Sequence, residues 1–157
     1  MTKRVSVRIA LIGFLILPLL HTEVNAITRT QERSDGSLIN EIRNGSVLDG
    51  CGCYMRRQGK TSYVFLGEIT DNKRAWMNID GRDVRLTFVS STHPARALRR
   101  GERFVQKYSI DGVIVEVTLM VTVPSPPEGE VTKYAATIKV TKNNRTQTVR
   151  ATGECGC

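Results

Sequence analysis

Between Val113 and Val123 the chain reads VIVEVTLMVTV. Val113, Val115, Val117, Leu119, Val121 and Val123 alternate with Ile114, Glu116, Thr118, Met120 and Thr122. Strict alternation over this length predicts a half-buried strand, since a helix would scatter the valines around its circumference. VRLTF repeats the pattern, with Val84, Leu86 and Phe88 set against Arg85 and Thr87. YAATIKVTK does so again, with Ala136, Ile138 and Val140 against Thr137, Lys139 and Thr141. Pairs of residues that tolerate positive φ separate these runs at hairpin spacing: Asp71-Asn72, Asp80-Gly81, Asp111-Gly112 and Asn143-Asn144. Strands are predicted at 61–67, 74–80, 83–90, 103–110, 113–123, 132–142 and 145–152, with a shorter one at 51–55. About seven to eight antiparallel strands and no long helix make an all-β domain, either a sandwich or a small barrel.

Two loops break the meander. PSPPEGE, at 124–130, carries three prolines and stops the long strand, because proline cannot donate to a ladder. SSTHPARALRRGE, at 90–102, is the longest irregular connection and has room for a helical turn at 95–100. Residues 27–50, ITRTQERSDGSLINEIRNGSVLDG, are polar and lack aromatics. Leu38, Ile39 and Ile42 offer an amphipathic turn or two at most, too short for an independent helix. The stretch reads as an extended or loosely docked N-terminal arm, or a partner-binding tail, ahead of a single β-domain at 51–157.

The opening residues, MTKRVSVRIALIGFLILPLLHTEVNA, set the compartment. Lys3, Arg4 and Arg8 precede an apolar core, Ile9 to Leu20, that is too short to span a bilayer as a helix. Val24-Asn25-Ala26 supplies the residues a signal peptidase reads, so 1–26 is expected to be a cleaved signal peptide. Cleavage would remove Lys3, Arg4, Arg8 and Glu23, taking 23 basic and 15 acidic residues to 20 and 14, a net charge of about +6. No later segment is apolar for long enough to cross a membrane. A periplasmic or secreted, soluble, basic product is expected.

That compartment decides what the four cysteines mean. Cys51 and Cys53 form one Cys-Gly-Cys pair, and Cys155 and Cys157 close the sequence with another. Residues two apart on a strand point to the same face, so pairing the first and last strands gathers four sulfurs on one face. Antiparallel neighbours give bridges 51–157 and 53–155; parallel neighbours give 51–155 and 53–157. Cross-strand separations suit a disulfide, and an oxidising compartment favours two of them, cross-linking the N- and C-terminal strands. The alternative is a four-thiolate site on Cys51, Cys53, Cys155 and Cys157 for Zn²⁺ or Cu(I). Cys-x-Cys on a flat strand fits that use less well than the bent Cys-x₂-Cys knuckle. Apart from that alternative, no cofactor is expected.

Catalytic chemistry finds little to stand on. The mature chain has one histidine, His93, in a loop before Pro94, and no third group marks it as a positioned base. The carboxylate pairs Asp80 with Asp83 and Glu128 with Glu130 fall at turns, where acids are common. Glycine-rich phosphate loops and calcium-loop patterns are absent. A non-enzymatic protein is expected. Asn44-Gly-Ser46 and Asn144-Arg-Thr146 match the glycosylation sequon, which matters only in a host that glycosylates exported proteins.

The charge points to a binding role. Arg96, Arg99, Arg100, Arg103 and Lys107 fall close together, offset by Glu102, and Arg56, Arg57 and Lys60 follow the first cysteine pair. Together they form a candidate patch for an anionic envelope polymer or an acidic protein surface. Nucleic acid is not an expected partner, because no aromatics are interleaved for base stacking. The single tryptophan, Trp76, is expected to pack on a sheet face, with stacking on a ligand as the alternative.

The signal segment, GCGCYMRR, AWMNIDGRDVRL and the terminal TGECGC together resemble a group of small exported bacterial proteins of unassigned activity. The resemblance spans about Cys51 to Cys157 and implies a fold and a compartment but no catalytic residues. Ala75-x-Met77-x-Ile79-Asp80-Gly81…Leu86 is similar to a strand of the periplasmic C-type lysozyme inhibitors, small β-barrels stapled by disulfide. The Ser-Gly-x-x-Tyr inhibitory loop of those inhibitors is missing, and SSTHPARALRRGERF stands in its place. Three readings follow: a disulfide-stapled domain with a non-catalytic binding or structural role at the bacterial cell envelope, a four-cysteine metal protein, and a lysozyme-inhibitor-like protein.

Overall fold

The computed structural model describes residues 36–48, 50–69, 73–126 and 131–157. The expected signal peptide, the first part of the arm, Asp71-Asn72 and the Glu128/Glu130 pair lie outside the described residues. Nine strands form among those described: β1 Ile39–Asn40, β2 Gly52–Arg57, β3 Tyr63–Glu68, β4 Ala75–Ile79, β5 Arg82–Ser91, β6 Arg103–Ile110, β7 Val113–Val123, β8 Thr132–Lys142 and β9 Arg145–Gly156. From β2 onward each strand pairs antiparallel with the next, and β9 returns to β2. The result is a closed eight-stranded barrel with one extra strand, which decides between the sandwich and the barrel. Closure removes the sheet edges, and eight strands give an interior just wide enough for side chains to fill.

The alternating residues fill it. Val113, Val115, Val117, Leu119 and Val121 of β7 face Ile138 and Val140 of β8, Leu86 of β5 and Met77 of β4 in one apolar core. Phe65 and Phe88 pack edge-on against the ring of Tyr108, whose hydroxyl donates to Gln106 Oε1 at 3.1 Å. Burial pushes the Tyr108 phenol well above the usual tyrosine range. Bulges at Met55/Arg56, Phe88/Ser90 and Val121/Val123 supply the extra bending that a closed sheet needs.

The turns sort the two ends of the barrel. At one end lie the tight hairpins Asp80-Gly81, Asp111-Gly112 and Asn143-Asn144, all six residues at positive φ as their types predict. At the other end are the long connections and the cysteines. The loop at 92–102 forms bends and a turn; the helical turn considered at 95–100 does not form. No helix among the described residues is long and apolar enough to cross a membrane.

The described part of the arm is firmly docked, unlike the extended or loosely held segment expected. β3 and β4 share only two residue pairs, Leu66↔Trp76 and Gly67↔Ala75, before they part. β1 fills the split: Ile39 and Asn40 pair with Ile79 and Asn78 of β4, and the Ile42 amide donates to the Tyr63 carbonyl of β3 at 2.7 Å. Leu38 and Ile39 enter the barrel core. Residues 42–48, including a 3₁₀ turn at Gly45–Val47, then cross the outer face. There Ile42, Leu48 and Leu66 form a second apolar cluster with Tyr54, Tyr63 and Trp76, so the tryptophan packs on a sheet face beneath this strap. The Asp83 carboxylate holds the strap by accepting from the amides of Arg43 at 3.0 Å and Asn44 at 2.9 Å. It also accepts from the side-chain amide of the buried Asn78 at 2.7 Å. Burying four apolar side chains of the arm contributes roughly 1.5–3 kcal/mol each, ample to hold a short segment in place.

Candidate functional site

The cysteines occupy the seam where β9 closes on β2. Gly52 stands opposite Gly156 and Cys53 opposite Cys155, and the bridges are Cys51–Cys157 and Cys53–Cys155, the antiparallel of the two pairings. Cys53 is 5% exposed and joins the barrel core, whereas the Cys51–Cys157 bridge sits at the rim. Gly52 has its own packing reason: a Cβ there would collide with Leu48 of the strap and would stand 2.9 Å from the Gly67 carbonyl oxygen. Four sulfurs tied in two disulfides supply no thiolate, so the oxidised protein does not present the Zn²⁺ or Cu(I) ligand set. Among the described residues no cluster of three or more His, Cys, Asp or Glu side chains gathers for a metal ion.

His93 is an exposed loop residue. Its ring packs edge-on against Phe104 at 4.6 Å, and Nδ1 lies 2.6 Å from the Pro94 carbonyl oxygen. Asp80 and Asp83 have separate tasks. Asp80 pairs with Lys142 at 2.6 Å and with Arg145, while Asp83 anchors the strap.

The basic residues of the 96–107 stretch divide four ways. Arg96 forms a two-pronged pair with Glu102, at 2.6 Å and 3.0 Å, and the Arg99 amide donates to the same carboxylate at 2.7 Å. The hydrogen bonds from Arg96 and then from the Arg99 amide hold the Glu102 carboxyl at about 2, well below the usual range. Lys107 shares Glu116 with Lys139 along one cross-strand row, at 3.1 Å and 3.2 Å. These lysines lower the Glu116 carboxyl, Lys107 foremost. Arg99 and Arg100 stand at the turn that ends the loop. Arg103 points elsewhere, onto the outer face of the barrel.

Glu102 therefore clamps the loop, with a definite pH signature. Because its folded value is depressed, the tie contributes fully above the unfolded range near 4.3 and is lost as pH falls through about 2. A carboxyl-detected NMR titration is expected to give a Glu102 midpoint near 2, and Glu102→Gln is expected to speed amide exchange across 92–102. A midpoint near 4 would mean the clamp does not hold in solution.

Arg103 faces a groove that no local pattern along the chain could assemble. Strand register sets Arg103, Met120, Ala135, Thr152 and Arg56 in one row across β6, β7, β8, β9 and β2. The adjacent row is Val105, Thr118, Thr137 and Arg150. Small outward side chains between larger ones leave a trough of about 420 Å³, floored by Thr118, Met120, Ala135, Thr137 and Thr152 and flanked by Arg103, Gln58 and Arg150. Arg103 reaches Met120 Sδ at 3.5 Å, a weak acceptor. Neither Arg103 nor Arg150 forms an ion pair with a carboxylate among the described residues. The other basic residues picked out near the first cysteine pair include two with internal partners. Arg56 donates to the Tyr63 hydroxyl at 2.7 Å and lies over its ring, and Arg57 donates to the Ile39 carbonyl at 2.9 Å. The only local signal for the groove is the smallness of Ala135, an outward position on a long strand.

Comparison with protein-family models, with curated proteins and with solved structures returns no match.

Proposed function

We propose that the chain is an exported, non-catalytic binding domain of the bacterial cell envelope, whose stapled barrel displays a cationic outer face to an anionic partner. One observation carries the reading. The barrel interior is filled with apolar side chains, while the groove on its outer face is flanked by the guanidinium groups of Arg103 and Arg150, neither of which is in an ion pair with a carboxylate among the described residues. Export rests on the two disulfides, which persist in oxidising compartments, together with the signal-like opening of the chain. Fractionation of expressing cells is expected to place the protein outside the cytoplasm. Denatured mass spectrometry is expected to find it beginning at Ile27, four hydrogens lighter than after reduction. A full-length, reduced chain confined to the cytoplasm would overturn the export reading.

The inhibitor reading keeps one point in its favour, a small barrel stapled by disulfide. Against it, a basic protein meets a basic C-type lysozyme with like charge, which opposes encounter. Undiminished lysozyme activity at saturating protein would remove it.

A further inference from the structure

We infer that the groove between Arg103 and Arg150 holds a segment of an anionic glycan, a hydroxyl-rich chain carrying carboxylate or phosphate groups. The inference rests on the reading of an anionic partner and adds its place and class.

Charge comes first. Arg103 on β6 and Arg150 on β9 are three strands apart, roughly 14 Å across the sheet. Each offers a planar fork of donors matched to a carboxylate or phosphate. Lys107 and Lys139, on the neighbouring row, share the single carboxylate of Glu116, whereas Arg103 and Arg150 flank the trough with no ion pair to a carboxylate among the described residues. An occupant lying across the strands meets one guanidinium at each side of the trough.

The floor then selects among anions. Thr118, Thr137 and Thr152 present hydroxyls that donate and accept, while Met120 and Ala135 give small apolar contacts between them. This mixture suits a chain with many hydroxyls and apolar ring faces. A protein partner favours a desolvated centre with aromatic anchors, and among the described residues no aromatic side chain lines this trough. The trough is also shallow and lies on rigid ladder, so its shape is set before anything binds.

The test uses the mature, oxidised protein and three probes at low salt: polygalacturonate, a polyglycerol-phosphate chain and poly-L-glutamate. Binding of one or both of the first two is expected, weakening as salt rises. Arg103→Ala and Arg150→Ala are each expected to weaken it roughly tenfold or more. Ala135→Trp fills the trough without changing the charge and is expected to abolish binding. Arg99→Ala with Arg100→Ala, at the loop, is expected to leave it within about twofold. Denaturation midpoints identify any variant that fails to fold, and the arginine and Ala135 variants test the groove independently. Glycan binding that survives Ala135→Trp but is lost on changing Arg99 and Arg100 would overturn the groove while keeping the anionic reading. Groove-dependent binding of poly-L-glutamate alone would overturn the glycan class. Failure of all three probes would overturn the anionic reading itself.

Discussion

Replacing Cys51 and Cys157 by serine, or Cys53 and Cys155 by alanine, is expected to cost about 2 kcal/mol of stability, and removing all four cysteines about 7 kcal/mol. The asymmetry follows from geometry. The bridges have sequence separations of 106 and 102, so each alone closes almost the same long loop, for which the chain-entropy relation gives about 4.7 kcal/mol. Once one is made, the other closes only the few residues between the two pairs, a contribution of about 2 kcal/mol by the same relation. Urea denaturation of both double variants and the quadruple variant checks this. Single removals that each cost about 5 kcal/mol, summing to the quadruple effect, would show that the bridges do not share a loop. The full loss is comparable with the whole stability of a typical domain, so the quadruple variant is expected to be marginal at physiological temperature.

The second large effect belongs to a residue with no chemistry. Gly153→Ala is expected to cost 3 kcal/mol or more, at the upper end of what overpacking does. Gly153 sits in β9 between Met55 of β2 and Tyr134 of β8. A Cβ there would collide with the Tyr54 carbonyl oxygen and stand 2.9 Å from Met55 Cα and 2.8 Å from its sulfur. Two of those contacts are backbone, which cannot swing aside, and the Cys53–Cys155 bridge two residues away keeps the strands from parting. Gly101→Ala provides the contrast. That glycine has φ of 84° and open space around it, so only the backbone penalty applies, roughly 1 kcal/mol. Equal midpoints for the two variants in thermal denaturation would mean the seam can widen.

The sequence showed some of this plainly. β7 and β8 run where the alternation placed them, because strict period two meets turn residues or prolines at the ends. β9 was expected to end at 152 but continues to Gly156, since glycines and a glutamate mask a ladder that the cross-links and close packing sustain. Alternation could not choose between sandwich and barrel: it reports one buried face and is silent about which strand lies across from it. How tightly residues 38–48 dock is not legible in the sequence, because Leu38, Ile39, Ile42 and Leu48 follow no single period. Two enter the core and two lie outside it, joined by a strap held by Asp83. The groove was invisible for a related reason. Arg103 and Arg150 are far apart along the chain and become neighbours only through the register of four strands.

The staple at the closing seam also changes the topology of the molecule. From Cys53 to Cys155 the backbone and its bridge form a macrocycle, so this part of the protein is covalently a ring. A protease that cuts one loop of a linear domain releases two fragments; a cut at 92–102 here leaves a single molecule with both pieces bound. The cut ends stay close in space, and the hairpins on either side remain paired through their own ladders. In the exported protein proposed above, one nick would become a change of connectivity rather than the end of the fold.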